Sequence, residues 1–202
     1  MRLQGREEQF IEIIKNSPII PKVMNTLRLE KETYYIGAGA LVQTVWNDVT
    51  ERPLTYGLQD IDVVYFNAAE HSHTNEQALE EKLTANESET PIAIDVKNQA
   101  LVHHWYKEKF GFPIAPYTSL QAAVATWPTT ATAVIMRKQA NGSYEVDAPF
   151  GLEDLFQMVV RPNKRLITKE IYEHKVAKWR SYWPELTVVE WEKTEHDIKR
   201  EK

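Results

Sequence analysis

The chain has 202 residues, no cysteine, a formal net charge of -5 and a sequence pI near 5.7. This length can bury a full hydrophobic core, and the lack of cysteine excludes disulfides, thiolate metal sites and cysteine nucleophiles. The acidic balance lacks the basic surface that binding to long nucleic acid requires, and no apolar run has the length of a signal peptide or a membrane span. We therefore expect a single cytoplasmic domain over 1–202, with neither long nucleic acid nor a membrane as a partner.

Apolar spacing and turn residues predict an α/β (α+β) order of elements. The chain divides into a helical cap at 1–30, a core at 31–138 that carries the chemistry, and a hairpin with C-terminal helices at 139–202. Strands are predicted at 34–36, 60–66, 91–97, 131–138 and 144–146. Helices are predicted at 9–15, 22–29, 41–46, 71–86, 98–110, 119–125, 151–160 and 169–183. The charged tail at 192–202 is predicted to be a frayed helix end.

Two aspartates, Asp60 and Asp62, stand at the start of a strand that is otherwise β-branched and aromatic. The strand period of two puts both carboxylates on one face, where they repel each other unless a cation lies between them. Mg²⁺ (or Mn²⁺) suits this position, because Mg²⁺ takes one or two carboxylates and completes its shell with water and substrate phosphates. Asp95, on the neighbouring predicted strand, would complete a two-metal arrangement. The alternatives are a solvated strand end for the pair and a surface carboxylate beside Lys97 for Asp95.

A tight turn formed by Gly37, Ala38, Gly39 and Ala40 connects a strand to a helix upstream of the aspartates. Backbone N–H groups that are free at the start of a helix bind phosphate, so this turn is a candidate nucleotide-binding segment. The alternative is a close-packed strand-to-helix turn without a ligand.

Two further polar segments are candidates for nucleotide binding. Lys97, Asn98 and Gln99 lie at a strand-to-helix junction, where side chains can reach a phosphate, a ribose or a base; capping of the helix is the alternative for Asn98. Thr129 and Thr130 are predicted to donate hydrogen bonds to substrate while the neighbouring Trp127 stacks on a base. Structural use in a strand is the alternative for the threonines.

Several sequence blocks occur in a fixed order along most of the chain. They are AGAL at 38–41, DIDVVYF at 60–66, VKNQA at 96–100, WPTTATA at 127–133 and APFGLEDLF at 148–156. In this order the chain resembles the bacterial nucleotidyltransferase-like proteins of the DNA polymerase β superfamily. The resemblance implies a mixed sheet flanked by helices, with Asp60 and Asp62 as metal ligands. It also implies transfer of a nucleoside monophosphate (NMP) from a nucleoside triphosphate (NTP) to an acceptor that the sequence does not identify.

The chain departs from this family pattern where charged residues are expected. Val42-Gln43 replaces Arg-Asn, Leu101 replaces a second arginine, and Asn47 and Asn67 replace aspartates. Without two arginines, a polyphosphate site would have weaker charge stabilisation. Two alternatives to an active enzyme therefore stay open: a catalytically weak or inactive protein that binds or senses nucleotide, and a non-catalytic partner protein.

Overall fold

The computed structural model describes residues 2–86 and 92–193. The helices are α1 (Arg2–Lys15), α2 (Ile20–Leu27), α3 (Ala38–Val49), α4 (Thr74–Asn86), α5 (Val102–Phe110), α6 (Leu120–Val124), α7 (Glu153–Phe156) and α8 (Lys169–Tyr182), with a 3-10 turn at Gln99–Leu101. The strands are β1 (Tyr35–Gly37), β2 (Asp60–Tyr65), β3 (Ala93–Asn98), β4 (Ile135–Lys138), β5 (Tyr144–Asp147), β6 (Val159–Val160) and β7 (Thr187–Val188). Within the described ranges, no helix has the length and apolar character needed to cross a bilayer.

Five strands form one mixed sheet in the order β3-β2-β1-β4-β5. β2 and β3 are parallel, and the other neighbouring strands are antiparallel. Parallel neighbours need a crossover connection, which α4 supplies between β2 and β3. β4 and β5 form the predicted hairpin, and its turn contains Gly142 in the left-handed region at φ 86°. β6 and β7 form a separate parallel pair.

Alternation along β2 gives the sheet two different faces. Ile61, Val63 and Tyr65 point to the main core, where they pack with residues of α1, α2, α3, α4, α7 and α8. Asp60, Asp62 and Val64 point to the opposite face, because successive side chains of a strand alternate. Val64 belongs there to a smaller apolar cluster with residues of β1, α6 and β4. The carboxylates therefore lie on the face that the main core leaves open.

Two predicted elements differ from the structure in their extent. The predicted strand at 131–138 begins only at Ile135, because a turn closed by the bond from the Ala133 N–H to the Thr129 carbonyl (3.1 Å) occupies its first part. The predicted helix at 151–160 ends at Phe156, and Met158 adopts the left-handed region at φ 54°. After it, 159–160 pairs with β7 as a strand.

The predictions at the chain ends also need correction. α1 extends from Arg2 rather than from residue 9, and α2 begins and ends two residues before the predicted range. The predicted helix end at 192–202 lies outside the described residues from 194 onward, and Pro91 of the predicted strand at 91–97 lies outside them as well.

The buried side chain of Asn47 connects α3 to two other parts of the chain. Its Nδ2 donates to the backbone carbonyls of Tyr56 (2.8 Å) and Leu54 (3.2 Å). Its Oδ1 accepts a hydrogen bond from the indole Nε1 of Trp183 (2.8 Å), at the end of α8. An ionised aspartate at this position would have no donor for the two carbonyls. The amide is therefore the residue that this packing requires.

We expect Asn47→Asp to lower the free energy of unfolding by about 2 to 4 kcal/mol at pH 7, because a buried carboxylate would face two carbonyl oxygens. Urea unfolding of the two proteins measures this difference. Asn141→Asp is the matched control, since Asn141 is exposed and its Oδ1 only accepts hydrogen bonds from Ser143, which a carboxylate can also do. Equal stability of the two variants would contradict the role given to Asn47.

Candidate functional site

The register of the sheet places Gly37, Asp62 and Asp95 side by side on three neighbouring strands. Asp62 of β2 pairs with Gly37 of β1 on one side and with Asp95 of β3 on the other. Residues directly opposite each other on paired strands share a face, so the two carboxylates point the same way. Asp60 lies two residues before Asp62 on that same face and is exposed. The sheet thus gathers three carboxylates at one edge of its open face.

Asp62 and Asp95 have different electrostatic surroundings. Burial, followed by the negative charges of Asp60 and Asp95, raises the pKa of Asp62 from 3.8 to about 6, although Lys175 and Lys97 oppose this shift. Asp95 instead forms a very close ion pair with Lys97, whose ammonium also lies 3.5 Å from Glu80. Unlike Asp95, Asp62 therefore has no ion-pair partner among the described residues.

The carboxylates of Asp60, Asp62 and Asp95 provide the hard oxygen ligands that Mg²⁺ or Mn²⁺ takes, and burial together with the negative charges of Asp60 and Asp95 raises the pKa of Asp62, which a bound cation would counter. On both grounds the residues fit a divalent cation. In the part of the chain that the structure describes, no three His, Asp or Glu side chains are arranged to hold a metal ion by themselves. Lys97 also lies against Asp95. We therefore predict that Asp60 and Asp62 hold the cation, with water and phosphate oxygens as its further ligands.

A cavity of about 240 Å³ opens beside Asp62. It is bounded by β2 and β3, by α5 and α8, and by the segment from 117 to 128. Its charged lining residues are Asp62, Asp95, Lys97, Lys109 and Lys175. Its aromatic lining residues are Trp105, Tyr106, Phe110, Tyr117 and Trp127. A cavity that combines carboxylates, ammonium groups and aromatic rings is suited to a ligand with both an anionic part and a flat ring.

The turn at the start of α3 also faces this cavity. Ala38 adopts the left-handed region at φ 46°, which costs a residue with a Cβ about 1 to 2 kcal/mol. Its N–H donates to the Val134 carbonyl (3.0 Å), whereas the N–H groups of Gly39 and Ala40 make no hydrogen bond outside their helix within the described ranges. A Cβ on Gly39 would lie 4.0 Å from Oδ2 of Asp62. Within this turn, Ala38 lines the cavity and the backbone of Gly39 lies close to the carboxylate of Asp62.

Gly37 has a structural use in the same turn. A Cβ on Gly37 would lie 2.6 Å from Cη2 of Trp127, so the indole ring covers the backbone at this position. Trp127 is thereby held on the open face of the sheet beside Asp62, where it lines the cavity. The close-packing alternative thus applies to Gly37, while Gly39 lies nearer the carboxylate.

The polar residues at the end of β3 and just after it divide into two groups. Lys97 and Gln99 line the cavity. Asn98 is buried, and its Oδ1 accepts hydrogen bonds from the N–H groups of Asn67 (3.0 Å) and Ala100 (3.1 Å). The capping alternative therefore describes what Asn98 does in this structure, and its contact with nucleotide stays a prediction.

The two threonines have partners within the protein. Thr129 is fully buried, and its hydroxyl lies 2.8 Å from that of Thr132. The Thr130 hydroxyl donates to Oδ2 of Asp154 (2.6 Å). The residues of this segment that line the cavity are Thr126, Trp127 and Pro128. A substrate contact of Thr129 or Thr130 stays a prediction that this cavity does not support.

Lysines that the sequence analysis missed supply cations to the cavity. Val42 and Leu101, where the resemblance predicts arginine, are buried and do not line the cavity. Lys109 of α5 and Lys175 of α8 do line it. One signal for Lys175 is present in the sequence, because Lys175 lies four residues after Ile171 and four before Trp179, within the apolar stripe of the helix.

Comparison with known proteins agrees with this arrangement. A family model described as Nucleotidyltransferase matches residues 22–188. A solved structure is similar over 91% of this chain and 95% of its own, with 25% identical residues and a TM-score of 0.74; its title states that the NMR structure reveals a CCA-adding enzyme head domain. No curated protein gives a significant match to the chain. The predicted polymerase-β-like mixed sheet flanked by helices is confirmed.

We expect Asp62→Asn to raise the free energy of unfolding by about 1 to 2 kcal/mol at pH 7, because it removes a partly buried and unneutralised charge. The folded-state pKa of about 6 lies above the ordinary value of 3.8. The wild type therefore loses stability as the pH rises from about 4 to about 6, and the loss is constant above that window.

Urea unfolding at about pH 4.5 and at pH 7.5 measures this gain, which should be several-fold larger at the higher pH. Asp48→Asn is the control, since Asp48 is exposed on α3. A variant that is less stable than the wild type at pH 7.5 would refute the charge argument.

Proposed function

Because the chain belongs to the nucleotidyltransferase family, we propose that it transfers an NMP from an NTP to an acceptor hydroxyl in the cavity beside Asp62. The observation that supports this most is the alignment of Asp62 with Asp95 and Gly37 across three strands, at the start of α3. The structural neighbour, described as a CCA-adding enzyme head domain, is similar over nearly the whole chain and supports the same class of reaction.

The reaction requires one bond to form and one to break at the α-phosphorus. The acceptor oxygen bonds to the α-phosphorus, the bond from that phosphorus to the β-bridging oxygen breaks, and pyrophosphate leaves with the electron pair. The acceptor proton passes to the carboxylate of Asp95, which its ion pair with Lys97 holds at the cavity. Asp60 and Asp62 would hold Mg²⁺ or Mn²⁺, which supplies positive charge to the phosphate oxygens when bound.

Two features of the cavity position the donor nucleotide in this proposal. The N–H groups of Gly39 and Ala40 bind phosphate oxygens at the positive end of the α3 dipole. The indole of Trp127 gives the base a flat apolar surface, and the ring is fixed because it packs on Gly37. The donor is thus oriented with its phosphates near Asp62, which is the geometry that an in-line transfer requires.

We expect at least one of ATP, GTP, CTP and UTP to raise the melting temperature of the wild type only when Mg²⁺ or Mn²⁺ is present. A nucleotide at about 100 times its Kd adds about 2.7 kcal/mol to the stability of the folded state. Asp62→Asn should lose the metal-dependent part of this rise, and Asp48→Asn should keep it. A thermal-shift titration of the three proteins measures both effects.

Pyrophosphate release then separates transfer from binding alone. Steady release with the nucleotide that binds, dependent on Asp62, is expected of a transferase. Metal-dependent binding without release under any acceptor tested would favour a sensor, and no response to any nucleotide would contradict the proposal.

We expect Gly39→Ala to weaken NTP binding about 10-fold or more, because its methyl group enters the space between the α3 N–H groups and Asp62. The Cβ would lie 3.3 Å from Nε2 at the end of the Gln43 side chain, which must shift slightly, and the fold should be kept because alanine suits a helix better than glycine. Gly5→Ala in α1 is the control, because a Cβ there meets no atom within 4 Å. Unchanged affinity of Gly39→Ala by calorimetry would exclude the phosphate contact.

A further inference from the structure

Lys175 directs a positive charge into the cavity without a carboxylate partner. It lies on α8, lines the cavity together with Ile171, and its ammonium lies 5.9 Å from the centre of the Trp179 ring. No ion pair or hydrogen bond of Lys175 is found within the described ranges. Burial lowers the pKa of Lys175, and the charge of Asp62 only partly opposes this. A desolvated cation in this state is stabilised by any anion that enters the cavity.

Neutralising Asp62 is not a sufficient role for Lys175. A lysine with that role would lie at ion-pair distance from the carboxylate, as Lys97 does from Asp95. Instead, Asp62 and Lys175 both line the cavity and form no ion pair with each other within the described ranges. Both charges are therefore left for a ligand that carries a metal ion and an anion.

Lys109 of α5 is exposed to solvent and adds a second cation to the lining of the cavity. Its ammonium lies 5.2 Å from the centre of the Trp105 ring and 5.6 Å from that of Phe110, and it has no carboxylate partner in the described chain. The charge of Lys109 lowers the pKa of Lys175, so the two ammonium groups repel each other. Lys97, the third lysine of the cavity, is already paired with Asp95 and Glu80. An anion bound between α5 and α8 would relieve the repulsion.

We propose that Lys175, supported by Lys109, binds the β- and γ-phosphates of the NTP, so that α8 forms part of the nucleotide site. The proposal rests on the proposed function, because it assigns the reacting α-phosphate to the carboxylates of β2 and β3. The cations on the helical side of the cavity then remain for the pyrophosphate part of the donor. They stabilise the charge that develops on pyrophosphate as it leaves.

The test compares the wild type with Lys175→Gln, Lys175→Arg and Lys178→Gln, using the NTP that responds, the corresponding NMP and inorganic tripolyphosphate, each with Mg²⁺. Lys178 is exposed on the same helix and serves as the matched control. We expect Lys175→Gln to weaken the binding of NTP and tripolyphosphate about 10- to 100-fold, because a charge-assisted hydrogen bond is lost. NMP binding should stay within about 2-fold, and Lys175→Arg should restore part of the loss.

The melting temperature without ligand separates a phosphate contact from a structural role. Lys175→Gln removes a partly buried ammonium that has no ion-pair partner within the described ranges, so the free variant should melt at the wild-type temperature or above it. A lower melting temperature together with equal losses for NTP and NMP would show a packing role and overturn the inference.

Wild-type affinity for NTP in Lys175→Gln would also overturn the inference, and it would leave the proposed function intact. A wild type that responds to no NTP in the presence of metal would overturn both.

Discussion

The parallel pairing of β2 with β3 is the constraint on which the site depends. In this register Asp62 lies opposite Asp95, and Val63 lies opposite Val96. Both valines are fully buried in the main core, so a shift of one residue would move the carboxylates into the core and the valines to solvent. The buried Glu76 of α4 accepts a hydrogen bond from the N–H of Asn98 (2.7 Å), which joins the crossover helix to the end of β3. The packing of the core thus fixes the position of the carboxylates.

This register lowers the stability of the folded state around the site, and the binding of a ligand would explain why it is kept. Core packing buries the carboxylate of Asp62 and places Asp60 and Asp95 near it, and both effects raise the pKa of Asp62. Ala38, on the neighbouring turn, adopts a left-handed conformation that disfavours a residue with a Cβ. Features that reduce the stability of the folded state persist where the arrangement serves a ligand. The raised pKa of Asp62 and the left-handed conformation of Ala38 occur around one cavity, on the face of the sheet that the main core leaves open. A site that binds a metal ion and phosphates would account for both.

The sequence predicts those parts of the site that depend on local pattern. The period of two in β2 indicates which face carries Asp60 and Asp62, and the position of Asn98 at a helix start indicates its capping role. Local pattern does not predict partners that come together only through tertiary packing. The bond from the Asn98 N–H to Glu76 and the bond from Thr130 to Asp154 join segments that are distant in sequence, whereas the ion pair of Lys97 with Asp95 is local to β3 and agrees with the alternative predicted for Asp95. The helix predicted at 151–160 fails for a related reason, since pairing of 159–160 with β7 overrides helical spacing.

The fold gives a packing reason why Val42 and Leu101 stand where the resemblance predicts arginine. Val42 and Leu101 are buried, so in this chain an arginine at either position would have to bury a charge or displace part of the core. Their absence is therefore tied to packing and is not by itself a sign of lost activity. The cavity still contains cations, which come from β3, α5 and α8. A site of this kind needs positive charge at the phosphates, and helices that pack against the sheet from a distant part of the sequence can supply it as well as the motif positions can.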